Sequence, residues 1–231
     1  MARDGSPQRQ AAYTRTGVLL TSVIVVIVAV ALLAVLREVP ARQREAGCTD
    51  NLHALGVALA AYAQDNDDHF PLGGDPQDIA QPQIWANSPF AAIARHLRPL
   101  PQVMEPYVKN DRVWHCPADI GFELGGLEEK TPFDTRPSSY ERFGSSYYCE
   151  TSMAMEGDRL STVRFWSPVL PYEEHSPADI VFLYDGSSAW HGGSMFHKNR
   201  HVCLFIDGHV QTLGPERFYW TGEYTPIPPP H

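Results

Sequence analysis

Residues 17–36, GVLLTSVIVVIVAVALLAVL, run for 20 positions without a charge. That is the length an α-helix needs to cross the hydrocarbon layer, and Val, Leu, Ile and Ala dominate it. The stretch reads as a single membrane span. A cleaved signal peptide would carry a shorter apolar region, roughly 7 to 15 residues, closed by a small-x-small site. Arg3, Arg9 and Arg15 precede the span and Arg37, Arg42 and Arg44 follow it, so basic residues alone leave its orientation tied.

The 231-residue chain as a whole is 43% hydrophobic and 19% charged, with 17 Gly, 20 Pro and 4 Cys, a composition that suits an ordinary folded domain rather than a disordered or disulfide-scaffold chain. Formal net charge is −9; Arg3, Arg9 and Arg15 against Asp4 give +2 at the N-terminus, leaving −11 for everything beyond. An acidic body lacks the clustered cations that nucleic-acid binding requires, so no nucleic-acid partner is expected.

Pro40 is expected to kink or interrupt the helix, since it removes a backbone donor and crowds the preceding turn. Beyond it, Leu52, Leu55, Leu59 and Tyr62 recur at three- and four-residue steps within Thr49–Ala63 and form one apolar stripe in need of a partner surface. Asp65-Asn66-Asp67-Asp68 ends the pattern. As a calcium loop it fails, because Phe70 and Pro76 stand where an EF-hand needs Gly and Glu; a solvated helix terminus is the expectation. Ser88-Pro89 predicts the cap and first turn of a short helix over 90–97. Residues 121–137 read as a long surface loop. Ile180–Leu183 and Val202–Ile206 predict strands, and Asp207-Gly208 a two-residue hairpin turn. The proline-rich tail from Thr225 is expected to fray.

Four segments, in order, resemble a known family. His197 followed by nine residues and then Asp207-Gly208 matches the H-x9-DG signature of bacterial prepilin-like proteins. Cys48-Thr49-Asp50-Asn51-Leu52-His53-Ala54-Leu55-Gly56 with Tyr62-Ala63-Gln64-Asp65-Asn66-Asp67 resembles that family's helix, with His53 in the place of a lysine. Pro106–Asn110 with Trp114-His115-Cys116-Pro117-Ala118-Asp119 resembles its "PYVKN... CPSD" segment, and Ser146-Tyr147 its "SY" strand.

The resemblance implies a pseudopilin of type II secretion or type IV pilus-like systems. The implied fold is α+β and pilin-like, a long N-terminal helix packed on an antiparallel sheet. The implied layout is a cytoplasmic arm (1–16), a helix (17–66) whose span is 17–36, an extracytoplasmic head (67–224) and a disordered tail (225–231). Location would be the bacterial inner membrane, N-terminus inside. Partners would be membrane lipid, other pseudopilins or secretion-system membrane components, and copies of the chain itself in an oligomer or filament.

In that family cleavage and methylation follow a glycine, which implies Gly17 and Val18, and a buried glutamate sits one turn on. Here Ser22 occupies the glutamate's position. A non-polymerising, membrane-anchored interaction domain is therefore the alternative. The resemblance makes His197, Asp207 and Gly208 structural. It also groups the cysteines, with Cys48 and Cys116 inside family segments and Cys149 and Cys203 outside them, which suggests bridges within each set; four reduced thiols remain the alternative.

His191, His197, His201 and His209, with Asp185 and Asp207, offer metal-ligand chemistry but no compact zinc spacing, and are read as polar positions on strands and turns. Relatives can hold Ca²⁺ on acidic loops, but no such ligands match here residue by residue, and no cofactor is expected. No G-x-S-x-G, H-E-x-x-H, P-loop or dinucleotide fingerprint is present, and Ser187-Ser188 with His191 defines no nucleophile. The chain is expected not to be an enzyme.

Overall fold

A computed structural model describes residues 15–121, 137–163, 165–166, 174–191, 200–214, 217 and 225–226. The chain divides into two compact units, Met1–Pro40 and Ala41–His231. One helix, α1 (Arg15–Asp65), contributes to both. Its first part is long and apolar enough to cross a membrane, and none of that apolar window is buried by protein. Pro40 lies inside α1 instead of interrupting it. Proline removes one backbone donor, a loss that the flanking turns can absorb in a long helix.

Beyond Pro40 the stripe expected from spacing is half-buried at Tyr62 and buried at Leu52, Leu55 and Leu59, with 0–2% exposure at these three. Each such side chain contributes roughly 1.5–3 kcal/mol by leaving water. Its partner is an antiparallel sheet built from β3 (Tyr147–Cys149), β6 (Val181–Asp185), β7 (His201–Phe205) and β8 (Val210–Leu213). Before it in the chain, β1 (Gly73–Gly74) and β2 (Arg98–Pro99) form a short parallel pair. A third sheet has the order β5 (Glu174–His175), β4 (Phe165–Trp166), β9 (Thr225–Pro226). Antiparallel strands carrying a helix make the head α+β.

Alternation along β7 gives the sheet two buried faces. Val202, Leu204 and Ile206 join the helix stripe, whereas Cys203 and Phe205 join Val181 and Leu213 in a second cluster. Gly56 marks the closest approach of helix to sheet. A Cβ there would stand 2.9 Å from Leu204 Cδ1 and 3.4 Å from the Gly208 carbonyl oxygen, so the absent side chain lets α1 settle on the β7–β8 hairpin.

Several expectations are corrected. The helix over 90–97 shrinks to Ala91–Ala94 with Phe90 as its N-cap, because Ser88 Oγ accepts from Phe90 N and forms a local turn. The β7–β8 connection is not a two-residue turn. Gly208 N donates to Phe205 O and Phe205 N to His209 O, leaving Ile206-Asp207-Gly208 as a three-residue loop whose left-handed residue is Gly208 (φ +92°). Thr225–Pro226 belongs to a strand rather than a frayed tail, as proline can on an edge. The acidic run after α1 is a clasp as well as a terminus. Asp67 and Asp68 take positive φ, and Asp68 Oδ2 accepts from Ser161 N at 3.0 Å and from Ser161 Oγ. Those bonds hold the Asp68 carboxyl below its usual range. The loop expected over 121–137 lies almost wholly outside the described residues.

Candidate functional site

Cys48 and Cys116 are joined by a disulfide, with Cα atoms 5.0 Å apart. It ties α1 to the segment after the 3-10 turn Asp111–Trp114 across a separation of 68 residues, which in the chain-entropy picture stabilises the fold by about 4 kcal/mol. The second suggested bridge is not made, and Cys149 and Cys203 are free and buried. β6 lies between their strands, placing them about 9.6 Å apart by strand spacing alone, and the two side chains serve opposite faces of the sheet. A disulfide needs Cα atoms within about 7 Å. Burial pushes both thiols well up, with Asp75 adding at Cys149 and Asp185 at Cys203.

Beside the disulfide lies Asp185, fully buried at the end of β6. Its carboxylate accepts from Val202 N (2.9 Å), from His201 Nδ1 (2.8 Å) and from His191 Nε2 (2.9 Å). The antiparallel register brings the start of β7 alongside, which supplies the first two donors. His191 Nε2 also stands 3.5 Å from Cys116 Sγ. A buried carboxylate is costly unless satisfied, and three donors satisfy it here. The arrangement cross-links β6, β7 and the 190–191 turn next to the α1 disulfide.

Of the histidines and aspartates singled out from the sequence, the fold thus gathers Asp185, His191 and His201. His209 and Asp207 form a separate pair on the hairpin, where Asp207 Oδ1 accepts from His209 N (3.1 Å) and His209 Nδ1 (2.6 Å). His197 lies outside the described residues. Gly17 and Val18 sit in the first turns of α1, where the Gly17 carbonyl accepts from Thr21 Oγ1 and the Ser22 hydroxyl donates to Leu19 O.

The polar residues of the quoted segments hold one another. Asn51 Nδ2 donates to His115 O (2.8 Å) and to Tyr147 Oη (3.3 Å). Asp119 accepts from Ser146 Oγ (2.7 Å) and from the amides of Gly121, Ser139 and Tyr140. Asn66 Nδ2 donates to Tyr62 O and Tyr107 Oη. Trp190 Nε1 donates to Gly121 O. Burial above all drives the Tyr147 phenol up, so its hydroxyl stays protonated.

Sequence reasoning missed a second polar knot. Asp75 and Asp78 form a reciprocal capping box on Pro76–Ala80, while Asp78 accepts from Trp85 Nε1 (2.6 Å) and Thr151 Oγ1. Burial, with Asp78 alongside, holds the Asp75 carboxyl well above its usual range. The same two causes push the neighbouring Glu150 up to about 7. Asp75 followed by Pro76 and, three residues on from the cap, Asp78 is a readable N-cap signature, but nothing in it announces Trp85 or Thr151 as partners. Compared with protein-family models, curated proteins and solved structures, the chain gives no match.

Proposed function

We propose that this chain is a pseudopilin-like, single-pass, non-enzymatic membrane protein that works in a type II secretion or pilus-like assembly through its N-terminal helix. The observation that carries the reading is the division of labour along α1. Its first part exposes an unbroken apolar surface, and its second part is the buried spine of an α+β head. An apolar helix that leaves lipid must bury the same surface against neighbouring copies, so one segment serves as anchor before assembly and as packing surface after it. The hydrogen bonds from Asn51 to Tyr147, from Asn66 to Tyr107 and from Ser146 to Asp119 support the grouping of the quoted segments as one pattern.

A second reading has its own observation. Ser22 closes its hydroxyl onto the Leu19 carbonyl and offers no carboxylate within the span, which favours a membrane-anchored interaction domain that does not polymerise. N-terminal sequencing of membrane-extracted protein separates the two. A start at Val18 supports processing and assembly; a start at Met1 or Ala2 supports the anchor.

A further inference from the structure

The Cys48–Cys116 disulfide is buried against His191. The two sulfur atoms and His191 Nε2 all lie within 4.8 Å of one another. Cys116 Sγ is 3.5 Å from that nitrogen, and Asp185 Oδ2 is 2.9 Å from it. Cys48, Cys116 and Asp185 are fully buried, and His191 is nearly so. Tetrahedral zinc with ordinary Zn–S and Zn–N bonds sets sulfur and nitrogen about 3.6 Å apart, close to the separation already present. Among the described residues His191 Nδ1 has no hydrogen-bond partner, so the imidazole is held through Nε2 alone, the atom that faces the sulfur.

We propose that the reduced protein binds one Zn²⁺ at Cys48, Cys116 and His191, and that disulfide and zinc are alternative, mutually exclusive staples of the same core. In the conversion a dithiol reductant supplies two electrons and two protons. The Cys48–Cys116 bond breaks, two thiols form, and the reductant closes to its own disulfide. Zn²⁺ then displaces both thiol protons to solvent and takes the lone pair of His191 Nε2, whose proton moves to Nδ1, with a water in the fourth position. Either staple joins α1 to the segment carrying Cys116; only zinc also joins both to the turn that carries His191. Two thiolates with one imidazole form a borderline-soft set that favours zinc over magnesium or calcium. The inference does not depend on the membrane reading.

The test uses the full-length chain in detergent, reduced with a phosphine and given Zn²⁺ alone, then desalted. The expected result is one zinc retained per chain, a Tm restored toward that of the oxidised protein, and zinc-edge X-ray absorption showing two sulfur and two nitrogen or oxygen neighbours. His191→Ala should weaken zinc affinity at least tenfold while its oxidised form keeps the native near-UV spectrum. Zinc retention no greater than that of a Cys48→Ser/Cys116→Ser variant, or no rise in the Tm of the reduced chain, would overturn the proposal. The absorption measurement needs no variant, and a shell with no sulfur or with four sulfurs also overturns it.

Discussion

Residues 18–36 and 48–63 share one helix and meet different surroundings. In the first, Leu19, Leu20 and Ile27 are 61–67% exposed; in the second, Leu52, Leu55 and Leu59 are buried almost completely. Helical propensity does not separate them. Arrangement does, since the first stretch is apolar all round and the second only on one stripe. A helix apolar on every side fits a medium that is apolar on every side, whereas a striped helix fits a sheet face. The same physical need, removing hydrocarbon from water, is met by Val202, Leu204 and Ile206 for the striped half, while the first stretch is long and apolar enough for lipid to meet it.

The contrast breaks most visibly under a buried charge. Leu55→Asp should unfold the head, costing more than about 4 kcal/mol because an unpaired carboxylate would be placed in the core; limited proteolysis should digest the variant where the parent resists. Ile27→Arg should do the opposite. On insertion scales it costs about 3 kcal/mol at the centre of a span, so membrane fractionation should fall while the head of the chain stays protease-resistant. Equal effects of the two variants on head stability would erase the distinction.

A smaller effect sharpens it through pH. Asp75 and Glu150 keep their protons to higher pH in the folded head than in the open chain, so the folded state binds more protons between the two values. Stability therefore falls as pH rises, for Glu150 across the window from 4.5 to about 7. The expected loss is on the order of 2 kcal/mol, read as a lower Tm at pH 8 than at pH 5. Glu150→Gln should flatten the slope, whereas membrane association, which rests on an uncharged stretch, should not change over the same range. The smallest effect is local. Gly208→Ala should cost about 1 kcal/mol from the left-handed backbone alone, since a Cβ there meets nothing within 4 Å; a larger loss in a thermal melt would point to a tighter seat for α1 on this hairpin.

Periodicity made the two halves of α1 and the central strands legible, because a stripe such as Leu52, Leu55, Leu59 is written in adjacent turns. What stayed hidden depends on distant partners. Asp185, His191 and His201 were each visible as ligand types, but only the β6–β7 register brings His201 and Val202 N onto one carboxylate. The Asp75–Asp78 knot required Trp85 and Thr151 to arrive from separate elements. The Cys149–Cys203 pairing failed for the same reason. Two cysteines in strand-like stretches reveal neither that β6 comes between them nor which face each serves. Ser88 misled because the residue types that cap helices also close turns, and at this position the turn prevails.

The central claim is that α1 crosses a membrane once and sets the head on the far side from the N-terminus. Reporter fusions after Gly214 in cells test it most directly. The account predicts that an alkaline phosphatase fusion is active and a cytoplasm-dependent reporter at the same position silent; the reverse pattern would contradict it.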